Sequence, residues 1–282
     1  MLHQLTRVST AQVTTMREKQ VPMLSVEKIS KTFHAGTVDE RIALTDVSLK
    51  LAAGDFAVVV GGNGAGKSTF LNMLAGEVMP DSGVIVVDGS AVTTLPTHKR
   101  AKYISRVFQD PAIGTAAALS LEENLAVANM RGRKRGFSLG LTRALSEDFH
   151  QRLASFDLGL EKRLKAKASL LSGGQRQALS LLMAVLQRPQ LLLLDEHTAA
   201  LDPRTAAIVM RVTEQVVRES RLTTLMVTHN MQHALDYGNR LVMMRDGQIV
   251  GDLSVDAKRA MTMEKLMATF NEAPAMAKTV NA

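Results

Sequence analysis

The stretch GGNGAGKST, residues 61–69, decides the fold of this 282-residue chain. It follows FAVVV (56–60), a short β-branched run typical of a buried strand, and it precedes apolar residues at helical spacing that end at Gly76. Strand, glycine loop and helix in this order predict a phosphate-binding loop, because glycines let backbone N–H groups face an anion at a positive helix N-terminus. A glycine-rich turn without a ligand is the alternative, but the match to G-x-x-x-x-G-K-[ST] favours nucleotide binding.

Each position of the loop has a predicted part in holding the phosphates. Lys67 is expected to reach the β- and γ-phosphate oxygens, and the Ser68 hydroxyl to ligate Mg²⁺. The remaining nucleotide-binding candidates of the loop are Gly61, Gly62, Asn63, Gly64, Ala65, Gly66 and Thr69.

Two acids end a second buried run, in RPQLLLLDEHTAALD (188–202). A hydrophobic strand that carries Asp195 to the mouth of the phosphate loop would let this carboxylate hold Mg²⁺ from the other side. Glu196 would then polarise a water for in-line attack on the γ-phosphate. The alternative is that both acids cap the segment that follows. We interpret the neighbouring His197 as a packing or hydrogen-bonding residue.

A third run, TTLMVTH (223–229), ends in a histidine. If it is a central strand, His229 lies on the same sheet edge as the acids, where ligands of open α/β sheets bind. We interpret His229 as a sensor of the γ-phosphate, with a core histidine as the alternative. The next segment, RLVMMRDGQIV, predicts a hairpin that turns at Asp246-Gly247.

Composition limits the class of protein. The chain has no cysteine, which excludes disulfides and thiolate metal sites, and it has no apolar run near the roughly eighteen residues that a spanning helix needs, so we expect a soluble protein. The formal charge of +7 permits an anionic partner. We interpret the basic clusters at 131–136 and 161–167 as solvated faces, with lipid head groups or an acidic partner as the alternative.

Taken in order, these motifs resemble the nucleotide-binding subunits of ATP-binding-cassette transporters, over about residues 23–255. The family's LSGGQ signature is matched by Leu171, Ser172, Gly173, Gly174 and Gln175. The resemblance implies that two subunits pack head to tail, so that the signature of one closes over the ATP held by the phosphate loop of the other.

Three further residues take their predicted roles from this resemblance. Gln109, in RVFQDP, resembles the glutamine that touches Mg²⁺ and links the core to a helical subdomain. Asp202 resembles the aspartate that communicates between the two ATP sites. Phe33 stands where the family keeps an aromatic residue to stack on adenine, although a strand-end phenylalanine is an equal interpretation.

The resemblance also implies a fold and a division of the chain. The expected fold is α/β: a P-loop NTPase core with a mostly parallel sheet flanked by helices, an antiparallel β subdomain, and a helical insert at about 110–170 within an ATPase domain of 23–255. Residues 1–22 are expected to be a flexible extension, and residues 256–282 a C-terminal helix and tail. Methionines 261, 263 and 267 form an apolar stripe that predicts helix packing.

The implied function is that of the ATPase subunit of a bacterial transporter. We expect ATP and Mg²⁺ as ligands, a homodimer or paired ATPase subunit, separate membrane permease subunits, an extracytoplasmic solute-binding protein, and no nucleic acid. The expected place is the cytoplasmic face of the inner membrane. His197, where proline or alanine is more usual, resembles importers of amino acids or similar small solutes. The alternatives are an export or lipoprotein- or lipid-handling complex and a non-transport ATPase of the same superfamily.

Overall fold

The computed structural model describes residues 21–132 and 140–272. The predictions for residues 1–20, for 133–136 of the first basic cluster and for the tail beyond 272 lie outside the described residues. Ten strands are present in the described part: β1 (Leu24–Phe33), β2 (Arg41–Leu51), β3 (Phe56–Val60), β4 (Ser82–Val87), β5 (Ser90–Ala91), β6 (Ile104–Val107), β7 (Leu191–Asp195), β8 (Thr223–Thr228), β9 (Arg240–Arg245) and β10 (Gln248–Leu253).

The helices alternate with the strands of the core and cluster in the middle of the chain. Those in the described residues are α1 (Lys67–Ala75), α2 (Thr97–Arg100), α3 (Pro111–Gly114), α4 (Leu121–Asn129), α5 (Arg143–Ala154), α6 (Gly173–Val185), α7 (Pro203–Ser220), α8 (Met231–Asp236), α9 (Val255–Arg259) and α10 (Met263–Glu272). Two short 3-10 helices, Glu161–Arg163 and Ala168–Leu170, precede α6. No helix of the described residues is long and apolar enough to cross a membrane.

A six-stranded sheet forms the centre of the molecule, in the order β10-β9-β3-β8-β7-β6. All its pairings are parallel except that of β10 with β9, which form the predicted hairpin. Residues of β3 alternate between two hydrophobic clusters: Val58 and Val60 face one side of the sheet, and Ala57 and Val59 the other. A strand buried on both faces needs apolar residues at every position, which explains the unbroken run FAVVV.

A second, antiparallel sheet has the order β2-β1-β4-β5. The resemblance implies such an antiparallel sheet, but the strands β4 and β5 were not predicted individually from the sequence. The short strands SGVIVV and SA are partly exposed, so they lack the continuous apolar run that identified the central strands.

Helix α1 begins at Lys67 and stops where the sequence predicted, at Gly76. This glycine has φ 80° and caps the helix through its backbone N–H. The last carbonyls of α1 are held by Arg100, a fully buried arginine that donates to the Met73 and Leu74 carbonyls at 2.5 and 3.0 Å. The helix behind the phosphate loop is therefore anchored at its far end by a residue twenty-four positions beyond Gly76.

Between β6 and α6 the chain is helical. α4 starts with a capping box, in which Ser120 and Glu123 bond each other's backbone N–H groups. α5 runs from Arg143 to Ala154. Both helices pack against α6, so the described part of the insert rests on the helix that follows the signature.

The methionine stripe at the C-terminal end is partly wrong as a packing prediction. Met261 contacts the main hydrophobic cluster, but Met267 is 54% exposed. Leu266, the neighbouring residue of α10, is fully buried instead.

Candidate functional site

The predicted site residues converge because four parallel strands end at one edge of the central sheet. β3 leads into the phosphate loop, β7 ends in Asp195, β8 is followed by His229, and β6 is followed two residues later by Gln109. The carboxyl ends of parallel strands share an edge, so elements far apart in sequence deliver their side chains to the same place.

The phosphate loop has its glycines where side chains cannot fit. A Cβ on Gly61 would lie 2.5 Å from the Met244 carbonyl oxygen, and one on Gly66 would lie 2.7 Å from the Ala43 carbonyl oxygen. Gly66 also has φ 95°, a conformation that side-chain-bearing residues rarely adopt. The loop is thus packed between β9 and β2 and its shape depends on glycine.

Lys67 lies folded into this loop. Its ammonium donates to the Gly61 and Gly62 carbonyls at 2.8 and 2.9 Å, and the residue is 6% exposed. Burial lowers the pKa of Lys67, and the nearby charges of Glu196 and Asp195 oppose that shift. A cation in the centre of a ring of backbone groups is suited to phosphate oxygens, while the Ser68 hydroxyl beside it is exposed.

Glu196 stands in a strained position next to His229. Its φ is 42°, in the left-handed region, and its backbone N–H donates to the Val227 carbonyl at 3.0 Å. The carboxylate Oε2 accepts from His229 Nδ1 at 3.0 Å. The imidazole itself is 57% exposed, so it is free to face a ligand while it orients the carboxylate.

Asp195 is engaged by a residue that sequence reasoning missed. Arg106 on β6 donates from Nη2 to Asp195 Oδ2 at 2.5 Å and from Nη1 to Glu77 Oε1 at 2.9 Å. The sequence did contain a signal for this contact: an arginine lies inside the short, mostly buried strand ISRV. A buried charge requires a partner, so an acidic partner for Arg106 could have been expected.

The signature segment forms the capped start of α6. The Ser172 hydroxyl accepts from the Gln175 backbone N–H, and the Gln175 carboxamide accepts from the Ser172 backbone N–H, both at 3.3 Å. A Cβ on Gly174 would lie 2.1 Å from the Thr205 methyl group, so α6 and α7 are in close contact there. Among the described residues, no hydrogen bond or ion pair joins 171–175 to 61–69 of the same chain.

Comparison with known proteins identifies this arrangement. Residues 44–199 match the family model described as ABC transporter. The chain belongs to the ABC transporter family. The tyrosine transport ATP-binding protein of Clostridioides difficile is 41% identical over 89% of this chain and 100% of that protein. The phosphonates import ATP-binding protein PhnC 1 of Haloquadratum walsbyi is 35% identical over 82% of this chain and 73% of that protein.

A solved structure shares the fold of this ABC cassette. It is the ATP-binding cassette MJ0796 in a dimeric, post-hydrolysis state bound to ADP and phosphate, with a TM-score of 0.70, 27% identity, and coverage of 83% of this chain and 99% of that one. The predicted α/β P-loop NTPase fold is confirmed, and the chain is an ATP-binding ATPase subunit.

The site fits Mg²⁺ bound together with a nucleotide. Within residues 21–132 and 140–272 there is no group of three or more His, Cys, Asp or Glu side chains that could hold a metal by itself. Asp195 and the exposed Ser68 would provide two oxygen ligands, which suits a cation that takes its other ligands from phosphates and water.

Three residues with roles implied by the resemblance make no hydrogen bond to Lys67, Asp195, Glu196 or His229 among the described residues. Gln109 is exposed in a bend after β6. Phe33 is partly buried at the end of β1, with the Lys31 ammonium 5.6 Å from its ring centre. Asp202 caps α7, where its carboxylate accepts from the Thr205 N–H at 3.1 Å, and hydrogen bonds from Thr205 lower its pKa. Their roles toward nucleotide stay predictions.

His197 packs inside the fold as predicted. It is 2% exposed, and its Nε2 lies 3.1 Å from the Thr213 hydroxyl. That hydroxyl donates to the Val209 carbonyl, so His197 is the donor in this pair. Burial first, and the charge of His233 second, lower the pKa of His197 to about 4.

The interpretation of the basic clusters as solvated faces is wrong for two arginines. Arg131 donates to the Ala184 carbonyl of α6 at 2.6 Å. Arg163 donates to the Gln175 side chain at 3.2 Å and to the Leu170 carbonyl at 3.1 Å, so it holds the signature segment in place. The partners of both arginines are distant in sequence, so the charge pattern of the clusters could not identify them.

Proposed function

We propose that this chain is the ATP-hydrolysing subunit of a bacterial importer, that it works as a dimer around two ATP molecules, and that the imported solute is an amino acid or a similar small organic molecule. The observation that carries the proposal is the division of the site. Lys67, Asp195, Glu196 and His229 gather at one sheet edge, whereas Ser172 makes no hydrogen bond to any of them among the described residues and bonds only within its own helix start.

The catalytic steps follow from the contacts at the sheet edge. The phosphate loop binds the β- and γ-phosphates through its backbone N–H groups, and Lys67 exchanges its two carbonyl partners for phosphate oxygens. Glu196, oriented by His229, accepts a proton from the water that attacks the γ-phosphate. Bound Mg²⁺ would neutralise the charge that develops on the phosphate oxygens, with Asp195 and Ser68 as its protein ligands.

The signature segment completes the site of a second copy. Ser172 and the following N–H groups form the exposed start of α6, a position suited to binding the γ-phosphate held by a partner. ATP at such a junction stabilises the closed dimer, and hydrolysis releases it. The dimeric MJ0796 cassette supports this arrangement.

The membrane partners are proposed to dock near the cleft between the core and the helical insert. A cavity of about 160 Å³ lies there, lined in part by Glu77, Thr97, Phe108 and Arg131. Permease subunits that dock at this cleft would keep the chain at the inner face of the membrane, and a solute-binding protein would deliver the solute from outside. The name of the phosphonates relative supports import, and the name of the tyrosine transport relative makes an amino acid the first solute to test.

Solute uptake in the source bacterium tests the proposal. We expect that deletion of the gene lowers uptake of labelled tyrosine, that the wild-type chain restores it, and that Glu196→Gln does not, because this variant lacks the proton acceptor. Glu264→Gln, at an exposed position of α10, is the matched control and should restore uptake fully.

Labelled phosphonate and an unrelated sugar are measured in parallel. Uptake of tyrosine that is independent of the gene, together with gene-dependent uptake of phosphonate, would reject the amino-acid class but keep the importer. Faster loss of a preloaded solute when the gene is present would reject import itself.

A further inference from the structure

Three charged side chains near the phosphate loop are joined by two ion pairs: Glu77, Arg106 and Asp195. Glu77 follows the end of α1, Arg106 lies on β6 and Asp195 ends β7. The guanidinium of Arg106 bridges the two carboxylates, at 2.9 Å from Glu77 and 2.5 Å from Asp195. The side chains of Arg106 and Asp195 are 11% and 17% exposed, so this pair is largely shielded from water.

Arg106 is not bonded as a purely structural arginine would be. Arg100, the other deeply buried arginine, uses Nε and both terminal nitrogens to bind backbone carbonyls. Arg106 has only carboxylate hydrogen-bond partners, and its buried Nε has no partner among the described residues. One face of its guanidinium rests on Phe108, 4.9 Å from the ring centre. Breaking the pair with Asp195 therefore costs Arg106 no hydrogen bond to the backbone.

The partner of Arg106 is the carboxylate that the proposed function assigns to the metal. Arg106 already occupies Oδ2 of Asp195, whereas Oδ1 accepts no hydrogen bond from the described residues. A divalent cation on the same carboxylate would lie within a few ångströms of the guanidinium, where like charges repel strongly in a shielded site. Glu77, which is 39% exposed, offers the guanidinium another position.

We propose that Arg106 is an exchangeable counter-cation of Asp195, which neutralises this carboxylate in the nucleotide-free protein and yields it, by moving toward Glu77, when a divalent cation arrives with the nucleotide. This inference rests on the proposed metal role of Asp195. Its consequence is that a divalent cation alone binds poorly, since it must displace Arg106 without the charge of the phosphates to attract it.

The test measures metal binding by the full-length protein without nucleotide. The concentration of free Mn²⁺ is measured by electron paramagnetic resonance, and the melting temperature is recorded by calorimetry with and without Mn²⁺. Arg106→Gln should bind Mn²⁺ about tenfold more tightly than the wild type, the size of effect typical of changes behind a metal ligand. It should also melt at a lower temperature without metal and regain stability when Mn²⁺ is added, because a ligand that binds the folded state stabilises it.

Three further variants test the inference, because each is expected to change the Mn²⁺ affinity in a different way. Glu77→Gln removes the second position for the guanidinium and should weaken Mn²⁺ binding in the presence of nucleotide; it also tests the idea should Arg106→Gln not fold. Arg106→Lys keeps the charge and should resemble the wild type. Adding Asp195→Asn to Arg106→Gln should abolish the gain in Mn²⁺ affinity.

Two results would overturn the inference in distinguishable ways. If Arg106→Gln binds Mn²⁺ no more tightly than the wild type, Arg106 only orients Asp195, and the proposed function is untouched. If Asp195→Asn alone leaves the Mn²⁺ affinity of the nucleotide-bound protein unchanged, the metal role of Asp195 fails, and this inference fails with it.

Discussion

At the scale of single residues, His197 has a structural role in the core although histidines often titrate or catalyse. It directly follows the proposed catalytic Glu196, yet it is buried and donates to Thr213. A histidine kept neutral in the core makes the folded state sensitive to acid, because the unfolded chain takes up a proton that the folded chain excludes.

We therefore predict a loss of stability between pH 6.5 and 4 that depends on His197. Its pKa is lowered from 6.5 to about 4, so in this window the unfolded state binds more protons and the free energy of unfolding falls as the pH falls. The full difference corresponds to about 3 kcal/mol. Urea unfolding at several pH values should show a flatter profile for His197→Gln, whose amide can still donate to Thr213.

His98→Gln is the control for this prediction, since His98 is exposed. It should leave the pH profile unchanged. An identical slope for the wild type and His197→Gln would mean that another group causes the acid sensitivity.

At the scale of elements, the contact between α6 and α7 sets the position of the signature. α6 begins at the signature and α7 begins after Asp202, so their contact at Gly174 and Thr205 joins two segments that the proposed dimer brings to its interface. The glycine is required by close packing there, because α6 approaches within contact distance of a methyl group on α7.

We predict that Gly174→Ala destabilises the protein by about 1–3 kcal/mol, the usual cost of overpacking. The added Cβ would lie 2.1 Å from the Thr205 methyl group, while its next neighbours are at 3.6 Å or more. Adding Thr205→Ser removes that methyl group and should restore most of the stability in urea unfolding. A second substitution that restores nothing would show that the glycine is needed for a reason other than this contact.

At the scale of the whole molecule, the two halves of the proposed ATP site share no hydrogen bond or ion pair among the described residues of one chain. The phosphate loop and the proposed catalytic acids lie at the edge of the central sheet, and the signature lies at the start of α6, the helix on which the insert packs. The proposed function therefore requires a second copy in the reverse orientation.

We predict that Glu196→Gln shifts from monomer to dimer in light scattering when Mg-ATP is added, because ATP is bound but not hydrolysed. Ser172→Arg in the same background should abolish the dimer, whereas Ser220→Arg, at the exposed end of α7, should not. Dimers that survive Ser172→Arg would place the interface elsewhere, and a protein that binds ATP but stays monomeric would contradict closure by nucleotide alone.

The sequence by itself determined the central sheet, the phosphate loop and the order of the motifs. Buried parallel strands need continuous apolar runs, and a glycine loop between strand and helix has a local signature, so FAVVV and GGNGAGKST could be interpreted without their neighbours. The stop of α1 at Gly76 was predictable for the same reason: its capping hydrogen bonds join residues close in sequence.

Only the tertiary structure decided which distant side chains meet. Arg106 and Asp195 are 89 positions apart, and their contact depends on the pairing of β6 with β7. Arg163 reaches the signature and Arg100 caps α1 through folds of the chain that leave no periodic pattern. Local patterns arise from interactions between near neighbours, whereas the ion pairs and buried cations of this site arise from the packing of whole elements, which no short stretch of sequence encodes.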